Sequence, residues 1–177
     1  HHADLDVIVP VYFEGQIMFW ALARCHHADM GAPLPTTYLP HAATIYEEGL
    51  HFPGVRVEED YKSKDDIIRI GRTKIRASKI WYGDYQAQLG ACRIGEQRLT
   101  ELIGHHGKVM IQDFIEDWMA YGERRTKAAI ANLPAGTWSY ATKHDPVPGV
   151  AEDGIPVRVT VAVDPDAGGH EPEDQVP

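Results

Sequence analysis

The chain has 177 residues, 44% of them hydrophobic, a net charge of −9 and two cysteines, Cys25 and Cys92. These values suit a single domain over residues 1–177 with one sizeable core, and an acidic balance with no Lys/Arg-rich stretch argues against a nucleic-acid-binding surface. The apolar runs are of strand length, no signal-peptide pattern opens the chain and two thiols make no disulfide framework, so a cytoplasmic protein with no membrane partner is expected.

The string His-His-Ala-Asp stands at positions 1 to 4 and again at 26 to 29. Between the copies, Leu5 to Phe13 and Gln16 to Cys25 are rich in the β-branched and aromatic residues of strands, with Glu14-Gly15 as a two-residue turn. An unbroken ladder sets Phe13 opposite Gln16 and Asp4 opposite Cys25, with His26 one diagonal step from Asp4. Pro10 signals an edge strand or a bulge. His1 precedes the strand by a short irregular step, so His1, Asp4 and His26 can converge at one mouth of the hairpin.

Two imidazoles and a carboxylate suit Zn²⁺, Mn²⁺ or Fe²⁺ and leave open positions for water or a small-molecule substrate, the basis of Lewis-acid or metal-hydroxide chemistry. The competing reading is solvated histidines at strand ends. His27 is a further residue for substrate or for supporting the metal ligands, and Asp29 and Asp6 are carboxylates able to orient an imidazole. Cys25 adjoins His26, but neighbouring side chains in a strand point to opposite faces, so a buried inert thiol is expected there.

Next comes a turn-rich stretch from Met30 to Pro40, and then a short helix over Ala43 to Leu50 stopped at Gly49, with Glu47 and Glu48 late in it. Val55 to Val57 reads as a strand. Ser63 followed by Asp65 and Asp66 predicts the start of a helix through Ile67, Ile68 and Ile70. The longest helical pattern runs from about Ala77 to Ile103, and a second fills Val109 to Leu133; an antiparallel pair is the simple arrangement. Gly83, Gly90 and Gly95 in the first predict close approach by a neighbour. Thr137 to Thr142 and Ile155 to Val163 are strands, and the whole is α+β.

Asp84 and Gln88, at i and i+4, share a helical face and can line a polar cleft, although such a pair is commonly a solvated stripe. Arg93 and Arg98 can bind an anion or form surface ion pairs, and His105-His106 caps a helix end. His41, His51, His144 and His170 stand isolated in loops. There is no Gly-rich phosphate loop and no Gly-x-Ser-x-Gly elbow. The chain opens without Met and stops in an acid-rich tail, as expected for a piece of something longer.

The run Asp4 to Tyr12, with Cys25-His26-His27-Ala28-Asp29-Met30-Gly31, resembles the hydantoinase B/oxoprolinase family, whose members carry His-x-x-Asp before an apolar hairpin and His-His-Ala-Asp-x-Gly after it. Glu47 to Leu50, Gly83 to Gln88, Ala91 to Leu99 and Leu133 to Thr137 resemble later blocks in the same order. Where the family often has Leu-Pro before the Asp, this chain has His2-Ala3.

The resemblance implies part of the B-type subunit of an ATP-dependent, metal-containing amidohydrolase that opens a cyclic amide such as a hydantoin, oxoproline or lactam. It implies that the metal sits on His1, Asp4 and His26, and that ATP is handled by a partner of the hydantoinase A type. Some members use a further carboxylate that would precede residue 1. Alternatives are part of an acetone- or acetophenone-type ketone carboxylase, a non-catalytic interaction module and, on the ligand set alone, a two-His-one-carboxylate iron oxygenase.

Overall fold

The computed structural model describes residues 2–165; His1 and residues 166–177, His170 among them, lie outside the described residues. Strand β1 (Asp4–Phe13) pairs antiparallel with β2 (Gln16–His26), and Glu14 and Gly15 take the positive φ angles, 51° and 77°, of a tight hairpin turn. The ladder is not unbroken. Tyr12 pairs with Ile17 but Val11 pairs with Phe19, leaving Met18 as an extra residue in a bulge. Asp4 therefore stands opposite His26, where an unbroken ladder predicts Cys25.

The bulge has a packing reason. It turns Ala21 and Ala23 onto the face that carries Val7, Val9 and Val11, and leaves Trp20 and Leu22 exposed on the other. A register slip of one residue would exchange the two sets. The small pair is needed because helix α2 (Ser78–His106) lies across that face, contributing Tyr85, Leu89 and Cys92 to the same core. A Cβ on Gly95 would sit 3.2 Å from the Ala21 Cβ, so the helix does approach closely there. Gly83 and Gly90 have open space around them, and the predicted close approach at those two positions does not occur.

Between hairpin and helix the sequence-based boundaries shift. The strand predicted at Val55 to Val57 forms instead as β3 (Glu58–Glu59), paired with β4 (Lys62–Ser63) around Asp60 and Tyr61, both at positive φ. Ser63 is consumed by that strand, so α1 (Asp65–Lys74) begins after Lys64, with Asp65 and Asp66 favourably placed in its first turn. The helix predicted over Ala43 to Leu50 shrinks to one 3₁₀ turn, Ile45–Glu47. Its acids are engaged locally: Glu47 accepts from Thr44 Oγ1, and Glu48 accepts from the His2 backbone N–H at 3.0 Å. α1 packs on α2 through Gly71, where a Cβ would collide with the Trp81 ring.

These elements belong to the unit His1–His106; a second compact unit, Gly107–Pro177, takes the rest. The division falls at Gly107, whose φ of 84° interrupts helical geometry. The second unit contains α3 (Lys108–Ala131) and an antiparallel hairpin of β5 (Gly136–His144) and β6 (Ile155–Val163). Both predicted long helices are thus present, one in each unit, and the class is α+β. Among the described residues no helix is long and apolar enough to cross a membrane.

Candidate functional site

At the open end of the first hairpin, His26 Nε2 and Asp4 Oδ1 are 2.8 Å apart. The imidazole is more than half exposed, whereas the facing carboxylate oxygen is buried. Asp4 also lines a cavity of about 1000 Å³ that runs along β1. His2, His51, Phe52, Trp81 and Tyr85 contribute to its wall. The His2 and His51 rings stack at 4.5 Å, and neither ring nitrogen of His2 nor the Trp81 indole N–H has a hydrogen-bond partner among the described residues. Buried polar atoms are nearly always satisfied, so these three enclosed nitrogens stand out among the side chains that line the cavity. Burial pushes the Tyr85 hydroxyl up to about 12, so it remains a neutral phenol near pH 7.

A second set of side chains lies on the other face of β2. Gln88 donates through Nε2 to the carbonyls of Leu5 (2.7 Å) and Ala23 (3.0 Å), which fixes its amide orientation. Its Oε1 can then only accept, and His27 Nε2 lies 3.1 Å from it. The proton of the neutral His27 ring is thereby assigned to Nε2, leaving a lone pair on Nδ1. Burial holds the His27 pKa below its ordinary value, against the opposing effects of Gln88 and Asp84. His27 is 1% exposed; its Nδ1 makes no hydrogen bond among the described residues and lies 3.9 Å from Asp84 Oδ2. One ligand atom each from Cys25, His27 and Asp84 lies within 4.8 Å of the others. Partial burial, and then the charge of Asp84, raise the Cys25 thiol above its usual range.

Asp29 does not orient an imidazole. Its buried carboxylate binds Arg76 Nη2 at 2.7 Å and Nε at 3.1 Å and accepts from the backbone N–H groups of Gly31, Arg76 and Ala77. The Arg76 guanidinium is the main reason its carboxyl falls to about 2. The pair ties the loop after β2 to the entry of α2. Asp6 forms a bidentate pair with Arg24 directly across the ladder. Arg93 bridges Glu58 and Glu96 and lies over the Tyr61 ring, and Arg98 pairs with Glu101, as surface ion pairs predict.

The structure thus brings Asp4 to His26, and Asp84 and Gln88 to His27; His1 lies outside the described residues. Sequence reasoning missed Cys25, because it compared the thiol with His26 and not with His27. Residues i and i+2 of an extended chain share a face, and that alternation was the available signal. It also missed His2 and His51, which meet only through the loop that Glu48 holds against His2.

The Hydantoinase B/oxoprolinase family model matches residues 1–171. The chain is similar to the beta chain of the caprolactamase of Pseudomonas jessenii, with 32% identity over 93% of this chain and 28% of that protein. Similarity to the B component of a putative D-/L-hydantoinase from a Pseudomonas strain is 31% over 93% of this chain and again 28% of the relative. The crystal structure of the ATP-dependent caprolactamase from P. jessenii superimposes with a TM-score of 0.80 at 29% identity, covering 94% of this chain and 29% of that one. The chain therefore spans little more than a quarter of the length of these relatives.

Proposed function

Since this chain belongs to the Hydantoinase B/oxoprolinase family, we propose that it forms part of the B-type subunit of an ATP-dependent, metal-containing hydrolase that opens a cyclic amide. The observation that carries this reading is the direct opposition of Asp4 and His26 beside the cavity. An imidazole nitrogen and a carboxylate oxygen facing each other are a borderline-to-hard donor pair of the kind that takes Zn²⁺, Mn²⁺ or Fe²⁺. His1, three positions before Asp4, is the third ligand of the proposal. A divalent ion held there supplies Lewis-acid polarisation of an amide or phosphoryl oxygen.

The chain's own residues supply binding and orientation. Phe52 and Trp81 stack at 6.3 Å and Trp81 and Tyr85 at 5.9 Å, giving the cavity an aromatic wall for the ring methylenes of a lactam or hydantoin. Amide resonance makes the ring carbonyl a poor electrophile, which is the reason to couple opening to ATP. ATP use belongs, in this reading, to a partner of the hydantoinase A type.

The test is product analysis of the chain within its complete subunit, co-purified with an A-type partner and given ATP with caprolactam, hydantoin or 5-oxoproline. The reading expects ring-opened product and ADP in equal amounts, lost in Asp4→Asn and His26→Ala. Consumption of bicarbonate with a ketone, and no ring opening, would replace it with a carboxylase.

A further inference from the structure

We infer that Cys25, His27 and Asp84 form a second cation site for Zn²⁺, on the face of β2 opposite His26. Four observations converge. The three ligand atoms already lie within 4.8 Å of one another. His27 is buried and directs an unpartnered Nδ1 toward them, and its other nitrogen is engaged by Gln88. Metal-bound imidazoles are held in this way, with the distal N–H donated to an oxygen that fixes ring and tautomer. Gln88 is in turn anchored by the carbonyls of Leu5 and Ala23, so the support is rigid down to the backbone of both strands.

The donor chemistry selects the ion. One thiolate and one carboxylate neutralise a divalent charge, the thiol proton passing to solvent as the cation binds. A sulfur and an imidazole nitrogen favour Zn²⁺ over Mg²⁺ or Mn²⁺, in contrast to Asp4 and His26, which offer no sulfur. Tetrahedral zinc, with bonds of about 2.0–2.3 Å, holds its donors roughly 3.3–3.8 Å apart. His27 Nδ1 and Asp84 Oδ2 are 3.9 Å apart, so this pair needs little movement. Asp84 is part exposed and can supply the remaining contraction, and a fourth position stays open to water. Bound zinc would clamp the end of β2, next to His26, onto α2.

The site stands independently of the reaction proposed above, and its test is separate from turnover. The full chain, freed of metal, is titrated with Co²⁺ as a zinc surrogate while the near-ultraviolet thiolate-to-cobalt charge-transfer band is followed. In the His26→Ala background, which removes the competing pair at the hairpin mouth, the band is expected to saturate at one equivalent and to be displaced by Zn²⁺. It should vanish in Cys25→Ser and persist in Cys92→Ser and His26→Ala. Gln88→Met should weaken Co²⁺ binding about 10–100-fold, with far-ultraviolet circular dichroism confirming that each variant is folded. Absence of the band in the wild type, its survival in Cys25→Ser, or its loss in a folded His26→Ala variant would overturn the proposal. If His26→Ala loses turnover and keeps the band, the two sites are separate; if the wild type shows the band but no ring opening, only the reading of the reaction fails.

Discussion

Asp4 and His26 face each other directly across the β1–β2 ladder, carboxylate oxygen to imidazole nitrogen at 2.8 Å, because Met18 stands outside the ladder. One bulged residue thereby sets two things at once: which side chain meets Asp4, and which residues of β2 lie under α2. Small residues, Ala21 and Ala23, face the helix and its Gly95, while Trp20 and Leu22 face away.

Deletion of Met18 and Phe19 together pairs Val11 with Trp20 and Val9 with Leu22, one residue out of the observed register, and so turns Trp20 and Leu22 toward α2, where Gly95 leaves room only for alanine. The expected outcome is destabilisation by more than about 3 kcal/mol, or failure to fold. Met18→Ala keeps the residue count and the register, and should cost under about 1 kcal/mol at this half-buried position. Urea unfolding of the two variants checks the contrast; equal stability would show that α2 does not require Ala21 and Ala23 on the face of β2 beneath it.

The hairpin, its turn and both long helices were legible in the sequence because each depends on local periodicity and turn chemistry. The bulge was only hinted at by Pro10, since a one-residue excess leaves no mark on composition and is decided by the fit of Ala21 beneath Gly95. The i,i+4 pair Asp84 and Gln88 was legible as one face. That the face meets His27 depends on the register and so was not. The helix predicted over Ala43 to Leu50 failed because its acids bond to Thr44 and to the His2 backbone, partners a helical pattern does not reveal.

Asp29 makes the first unit sensitive to acid. Its carboxyl falls from 3.8 to about 2 in the folded protein. A depressed carboxylate pKa contributes stability that is fully present above the unfolded value, near pH 4, and is lost as pH falls toward 2. The shift corresponds to about 2 kcal/mol. Asp29→Asn should lose about that amount at pH 7 and show a flatter decline between pH 4 and 2, read from urea midpoints across that range. An unchanged pH profile in the variant would assign the acid sensitivity elsewhere.

Gly71 is the contact through which α1 reaches Trp81, and Gly90 faces open space. Gly71→Ala should destabilise by about 1–3 kcal/mol, since the added methyl displaces a buried indole. Gly90→Ala should stabilise by up to about 1 kcal/mol through helix propensity alone. Thermal melts of the pair test this opposition in sign. Since Trp81 lines the cavity, Gly71→Ala should also alter the cavity wall.

A metal centre at the hairpin mouth is tested by elemental analysis of the chain in the Cys25→Ser background, which isolates the Asp4 and His26 pair from the second site. One equivalent of Zn, Mn or Fe per chain is expected, lost on adding His26→Ala while the fold is retained. Metal that remains at full stoichiometry in the folded double variant, or that is absent from both, would contradict a metal centre at this pair and with it the reading of the hairpin mouth as the reactive site.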